Sequence, residues 1–377
     1  MNDGLEVDVV FTDFEKAFDK ILHYKLIQKL TKYRGNEKII VWIESYLCDI
    51  KFCVKVNGTF SDWYDVYSGV PQGSVLGPIL FIIYINDLYK CDDCMRLGLF
   101  AVDAKLFNII RNDEDRNLLQ DMLNRLKWWC DRNSVMLNID KCVVMKIGTK
   151  KEDIYNYYIN DTILNRVNIF KDLGVSYNEE LRFDKYIGEL VNKCFSILGL
   201  IGAHFKGLNK TSLLTLYNAM VRSRLDYASS VWSPWQLGQI EMIEKIQKRA
   251  TKMLRECQDM TYIERLKYIN MTTLKFRRIK GDLIILFNVC SQGINNSGPT
   301  FQFVEDSRTR GHNRRLIRPN FKINLRKYFF SGRVIPIWNF LPIEVVNAKC
   351  INEFKNKFDR LCEFEEFKYD WRLKYPC

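Results

Sequence analysis

Histidine is scarce in this chain of 377 residues: His23, His204 and His312 are all it has, too few for a histidine-rich metal centre and thin material for a Ser-His-Asp triad. Proline (8) and glycine (19) are also few, which excludes collagen-like and low-complexity classes. No apolar run is long. The longest, Val75 to Ile85, falls well short of the roughly 18–20 residues that span a bilayer, and Gly77 and Pro78 interrupt its start, so no membrane span is expected. Asp3, Glu6 and Asp8 stand where a secretory signal needs a basic and then an apolar region, so no export is expected either. The 12 cysteines lack regular spacing, which points to reduced thiols in a cytoplasmic or nuclear setting with no disulfide partner. Cys91 and Cys94, in CDDC, have the spacing of half a zinc site, but no second CxxC or suitably spaced His pair follows, so metal binding there is not expected.

What is present is hydrophobic material, 47% of residues with 14% aromatic, enough to bury a large interior and build two or three packed subdomains. The net charge of +12 is unevenly spread. Residues 1–150 hold 20 Lys+Arg against 21 Asp+Glu, and the rest of the chain holds 37 against 24. The second part would attract a polyanion such as nucleic acid, while the first is acidic enough to hold metal ions.

The pattern predicts a strand at Val7 to Phe11, a helix from His23 to Leu30, a strand from Lys51 to Val56 and a buried helix from Val75 to Leu88. Leu97 to Phe107 reads as two short strands about a turn. Leu118, Met122, Leu126 and Trp129 recur at helical spacing, predicting a helix from about Asp113 to Arg132. Polar breaks fall at Gly148–Asp153, Lys206–Thr211 and Ser291–Pro299, and the signals after residue 180 are mainly helical. A mixed α/β region thus precedes a helical one.

Three segments offer chemistry. FTDFEKAFDK places Asp13 where an apolar strand opens into a loop, a position suited to a divalent cation and equally to a helix cap. SGVPQGSVLGP, from Ser68 to Pro78, puts glycines in a turn where a ligand could approach the backbone, or where the fold simply needs a turn. LFAVDAKLF sets Asp103 at the centre of a strand-turn-strand, as catalytic acid or ordinary hairpin residue.

In this order the three resemble motifs A, B and C of the palm of a non-LTR (LINE-type, jockey-like) retrotransposon reverse transcriptase. The stretch SGVPQGSVLGPILFIIYINDL is the most specific. LNRLKWWCDRNSVMLNIDKCVVMKIG resembles motif D, and Phe170-Lys171-Asp172-Leu173-Gly174-Val175 the segment that supports the primer. Tyr328–Arg333, Ile337–Pro342 and Phe354-Lys355 resemble the C-terminal region of such elements, so the likeness covers nearly the whole chain. It implies an α+β fold: a palm with an antiparallel sheet and flanking helices over 1–175, a helical thumb-like region over 176–290 and a basic C-terminal region over 291–377.

The resemblance further implies an RNA-directed DNA polymerase working on an RNA template, a DNA primer and deoxynucleoside triphosphates. Two Mg²⁺ ions about 4 Å apart would stabilise the attacking and leaving oxygens. Asp13 and Asp103 would be the catalytic acids and metal ligands, with the Phe14 carbonyl adding an oxygen. Phe18 matches the bulky residue that excludes a ribose 2′-hydroxyl, and Gln72 with Gly73 matches the support for template and incoming nucleotide. Lys141 would give a proton to the leaving pyrophosphate, though a surface lysine after a helix is the plainer reading. Arg308, Arg310, Arg314, Arg315 and Arg318 form a basic cluster suited to phosphates or to nuclear import.

Two departures bear on activity. Val102 stands where the family has the first Asp of its motif C pair, a change one nucleotide can make, and an alkyl group cannot ligate Mg²⁺. Motif A also begins within the first dozen residues, whereas in the family a fingers subdomain precedes it, so half of the nucleotide pocket is expected to be missing. The expectation is an inactive, truncated reverse transcriptase domain. The alternative is a domesticated nucleic-acid-binding or scaffold protein that keeps the fold without catalysis.

Overall fold

The computed structural model describes residues 4–91, 96–148, 155–292, 301–304, 312–363 and 366–373, and the chain divides into two compact units. The first comprises residues 3–170 with 178–180. Its elements are β1 (Glu6–Glu15), α1 (His23–Lys32), α2 (Glu37–Leu47), β2 (Lys51–Phe52), β3 (Lys55–Val56), β4 (Thr59–Phe60), β5 (Tyr64–Asp65), α3 (Leu76–Ile85), β6 (Leu97–Phe100), β7 (Asp103–Ile110), α4 (Asp113–Asn133), β8 (Met136–Leu137), β9 (Val143–Ile147), β10 (Tyr158–Ile159), β11 (Thr162–Ile163) and β12 (Asn165–Arg166).

The main sheet runs β12-β9-β1-β7-β6, with β8 also pairing with β1. It is antiparallel apart from the β12–β9 pair. β1 lies at its centre because its β-branched residues suit a strand buried on both faces: Val9, Val10, Phe11 and Thr12 are all buried. The polar groups it buries are paired. Thr12 Oγ1 donates to the Ala104 carbonyl at 2.9 Å, and Asp8 accepts from the Tyr157 hydroxyl at 2.7 Å. Burial, reinforced by the Asp8 charge, pushes the Tyr157 phenol well up. α4 starts where Asn112 accepts the Asp115 amide and three acids in the first turn face the positive helix end. It ends at Ser134 in the left-handed region. Leu119, Met122, Leu123, Leu126 and Trp129 of α4 enter the core built around the sheet.

Four sequence expectations are corrected here. The strand foreseen from Lys51 to Val56 is two short strands with different partners, β2 on β5 and β3 on β4, with Cys53-Val54 between them and Val54 bonded to Ser61 rather than to the partner of β2. The helix foreseen to Leu88 gives way after Ile85 to a 3₁₀ helix, Asn86–Cys91, and it is not wholly buried, since Ile79 and Ile82 face outward. Leu118 is turned outward and Leu119 and Leu123 take the core positions instead. α2 was not foreseen. Trp42 on α2, and Phe52, Phe60, Trp63, Tyr64 and Tyr67 on the hairpins and their loops, stand exposed.

The second unit comprises residues 171–177 and 181–377. β13 (Ile169–Asp172) and β14 (Val175–Asn178) form a hairpin, followed by α5 (Asp184–His204), α6 (Lys210–Leu216), a π-helical turn (Tyr217–Arg222), α7 (Ser223–Asp226), α8 (Ser229–Trp232), α9 (Leu237–Thr251), α10 (Tyr262–Ile269), α11 (Leu274–Gln292), α12 (Asn324–Tyr328), α13 (Phe330–Phe340), α14 (Ile343–Val346) and α15 (Ile351–Leu361). A capping box between Thr261 and Glu264 starts α10.

Two cores organise this unit, one around α5, α6, α9 and α10 and one around α11, α13, α14 and α15. Among the described helices α5 alone is long and apolar enough to cross a membrane. Its Ile187, Leu190, Val191, Cys194, Leu198 and Ile201 are spent on the first of these cores. Gly332 lets α13 abut the end of α12: a Cβ there would lie 2.4 Å from the Lys327 carbonyl oxygen.

Candidate active site and its relatives

Antiparallel pairing of β1 with β7 sets Asp13 directly opposite Asp103. The hairpin from β6 to β7 closes on the pair Phe100 and Asp103, leaving Ala101 and Val102 as its two-residue turn. Ala101 sits at φ +50°, the left-handed region that a two-residue hairpin demands of its first turn residue. The turn therefore keeps its tight form while Val102 packs, half-buried, against the hydrophobic core.

Asp13 is also fixed from the other side of β1. Its carbonyl accepts the Asn138 amide at 2.8 Å, and the short 3₁₀ helix Ile139–Lys141 follows. That places Lys141 Nζ 3.0 Å from Asp13 Oδ2, with the lysine side chain mostly exposed and the aspartate mostly covered. The next residue, Cys142, is fully buried, and burial pushes its thiol up, so it stays protonated beside the site.

The loop after β1 is stitched to the loop before α3. The Gly69 amide donates to the Ile21 carbonyl at 2.8 Å, the Val70 amide to the Phe18 carbonyl at 2.9 Å, and Ser68 Oγ to the Asp19 carbonyl at 2.9 Å. His23 Nε2 lies 2.7 Å from the Gly69 carbonyl oxygen. Gln72 Nε2 donates to Asp19 Oδ1 at 2.9 Å. Gly69 at φ +92° touches the chain so closely that a Cβ would lie 2.8 Å from the Asp19 Cα, whereas Gly73 at φ +82° faces open space. Phe18 is half-buried with its ring 5.0 Å from that of Phe81 on α3, and Phe14 is buried.

The structure thus brings Asp13, Asp103 and Lys141 together in the first unit, and it joins the Phe18 and Gln72 loops. Of the basic cluster, Arg308 and Arg310 lie outside the described residues. Arg314 is turned inward, donating to the Val346 carbonyl at 3.3 Å and the Cys290 carbonyl at 3.2 Å, Arg315 is half-buried, and Arg318 is exposed. Cys94 of the CDDC pair also lies outside the described residues.

The residues present do not fit a centre holding two Mg²⁺ ions. Such a pair needs several convergent carboxylates. Here one carboxylate is held by an ammonium group and position 102 offers none. Among the described residues no group of three or more His, Cys, Asp and Glu is placed to hold an ion. The Asp13–Lys141 pair spans the antiparallel sheet and the 3₁₀ turn, a contact that neither segment's local pattern signals.

Comparison with known proteins follows the same motifs. The reverse transcriptase (RNA-dependent DNA polymerase) family matches residues 5–200. A probable RNA-directed DNA polymerase from transposon X-element of Drosophila melanogaster is 26% identical over 258 residues, covering 66% of this chain and 28% of the relative. The RNA-directed DNA polymerase from mobile element jockey of Drosophila funebris is 27% identical over 257 residues, covering 65% and 28%. The chain thus spans under a third of the length of these relatives. Among solved structures, a telomerase from Candida albicans in complex with a fragment of telomeric RNA is similar at a TM-score of 0.39 and 11% identity, over 70% of this chain and 49% of that one, a likeness too slight to build on. With the family match spanning more than half of the sequence and the retrotransposon polymerases aligning across two thirds of it, the chain belongs to the reverse transcriptase family, in its LINE-type, non-LTR retrotransposon branch.

Proposed function

We propose that this chain is the polymerase domain of a non-LTR retrotransposon reverse transcriptase in which nucleic-acid binding persists and nucleotidyl transfer is lost. The observation that carries this reading is the intact pairing of Asp13 with Asp103 around a turn whose second residue is Val102. The frame of the centre is kept while one ligand is gone. Residues 1–175 then serve as the palm, 176–290 as a thumb-like region and 291–377 as a basic C-terminal region. The partners are an RNA template and a DNA primer, and Phe18, Gln72 and Gly73 border the place for a deoxynucleoside triphosphate. Phe18 blocks a 2′-hydroxyl by its bulk and Gln72 is oriented by Asp19.

In the intact family Mg²⁺ supplies charge stabilisation to the transferring phosphoryl group. In this chain Lys141 neutralises Asp13 alone and does not replace that chemistry, since an ammonium group pairs with one carboxylate but cannot gather several oxygens.

On a primed RNA template with Mg²⁺ and labelled deoxynucleotides, incorporation is expected to equal that of an Asp13→Ala control, and synthesis above the control would refute the loss of transfer. Val102→Asp adds a third carboxylate at the turn, and three mutually repelling acids favour a divalent cation. Calorimetry is expected to detect Mn²⁺ binding to Val102→Asp and none to the parent chain. Equal heats from the two proteins would mean that positions 13, 102 and 103 do not converge.

A further inference from the structure

Between Asp306 and Glu344 the sequence carries nine Lys+Arg and no Asp or Glu. Aromatic residues are interleaved with these cations: Phe321, Tyr328, Phe329, Phe330, Trp338 and Phe340. Some of both kinds are committed to the fold. Trp338 and Phe330 are buried, and Arg333 is paired with Asp282 at 2.8 Å. Others are presented outward at the end of α12. Tyr328 stacks on Trp235, from the loop between α8 and α9, with ring centroids 4.6 Å apart and planes 3° from parallel. Lys327 Nζ lies 5.4 Å from the Tyr328 ring centre, and Phe329 beside it is exposed.

Tyr328 covers one face of the Trp235 indole, yet 44% of that residue remains accessible. A large, rigid ring left partly accessible and backed by a second ring is what an unpaired base stacks on, and the sequence around Tyr328, from 307 to 343, carries no Asp or Glu. A duplex keeps its bases inside the helix and has none to offer such a platform. A hydrophobic protein partner would not call for the exposed Lys327 beside the rings, in a stretch of sequence that carries cations and no acids.

We propose that Trp235, supported by Tyr328, is a base-stacking platform for single-stranded nucleic acid, with Lys327 contacting the adjacent phosphate. The inference rests on the nucleic-acid binding proposed above and places it at a site remote in sequence from the palm motifs.

The probes are a labelled oligouridylate and an RNA duplex of equal length, titrated into the full chain and its variants. Trp235→Ala is expected to weaken oligouridylate binding about tenfold, the scale of one lost stacked base, and to leave duplex binding unchanged. Trp235→Phe should keep most of the affinity, which shows that a flat ring and not the indole N–H matters. Lys327→Gln should reduce the slope of log affinity against log salt by about one phosphate contact. If the parent chain binds oligouridylate and Trp235→Ala binds it equally well, the platform is refuted while the wider reading stands. A matching loss on the duplex likewise refutes it, since that pattern reports general damage to the fold. Failure of the parent chain to bind either probe overturns the wider reading and the platform with it.

Discussion

Trp338→Ala is expected to cost about 3–5 kcal/mol of folding stability, the range for emptying an aromatic site in a packed interior. The indole has no accessible surface and stacks on Phe354, itself fully buried. It also organises polar groups. Its Nε1–H donates to the Arg314 carbonyl at 2.9 Å, and its own carbonyl receives His312 Nε2 at 3.1 Å and the Leu341 amide at 3.1 Å. His312 is held neutral because burial pushes its imidazole down, and its Nδ1 accepts the Arg314 amide at 3.2 Å, which fixes the proton on Nε2. Alanine would therefore leave both a cavity and an unmatched Arg314 carbonyl. Urea unfolding followed by circular dichroism measures the loss, and Trp338→Phe should recover part of it. A loss below about 1 kcal/mol, typical of surface positions, would mean that α13 is not anchored by this ring.

The second large effect is expected at Gly69. Alanine there meets two penalties: the strain of a side chain at φ +92° and a Cβ pressed within 3.0 Å of the Phe18 and Asp19 backbone. Strain of about 1–3 kcal/mol and overpacking of similar size give a combined cost of about 2–6 kcal/mol. Backbone atoms cannot swing aside as a side chain would, so the loops carrying Phe18 and Gln72 must part or the β1 loop must shift. Gly73 is the control. Its φ is also positive but nothing stands near its Cβ, so Gly73→Ala should lose only about 1–2 kcal/mol, the left-handed backbone penalty alone. Equal melting temperatures for the two variants would show that the contact of Gly69 with Asp19 is not tight in solution.

The parts legible in the sequence are those whose signal is local. β1 announces itself by Val7, Val9 and Val10, and α4 by an apolar repeat, although that repeat put Leu118 on the inner face where the structure has Leu119. α2 was hidden because Ile39 to Ile43 is an unbroken apolar run without helical period, and only Ile43 and Leu47 are buried. The segment Lys51–Val56 misled because β-branched and aromatic residues mark a strand without saying how long it runs.

At the candidate site, Asp13, Phe18, Gln72 and Asp103 were named from their motifs, as was Val102. What a linear reading could not give is the contact between distant groups. Asp13 and Lys141 are joined only by the meeting of β1 with the turn before β9, and Trp235 and Tyr328 only by the packing of their own unit. Arg314 looked like a phosphate ligand by composition. The structure spends its guanidinium on two carbonyls, because the last turns of helices leave carbonyls that need donors as much as a ligand does.

The exposed rings of α2 and the β2–β5 hairpins also govern how the protein behaves in a tube. Concentrated salt strips adventitious nucleic acid from a basic protein by competing for phosphates. Sulfate and phosphate salts at the same time strengthen apolar association. Trp42, Trp63 and Tyr67 stand ready for that adhesion. A preparation freed of nucleic acid with ammonium sulfate would therefore trade contamination for self-association, whereas chloride at moderate strength followed by prompt dilution suits both surfaces.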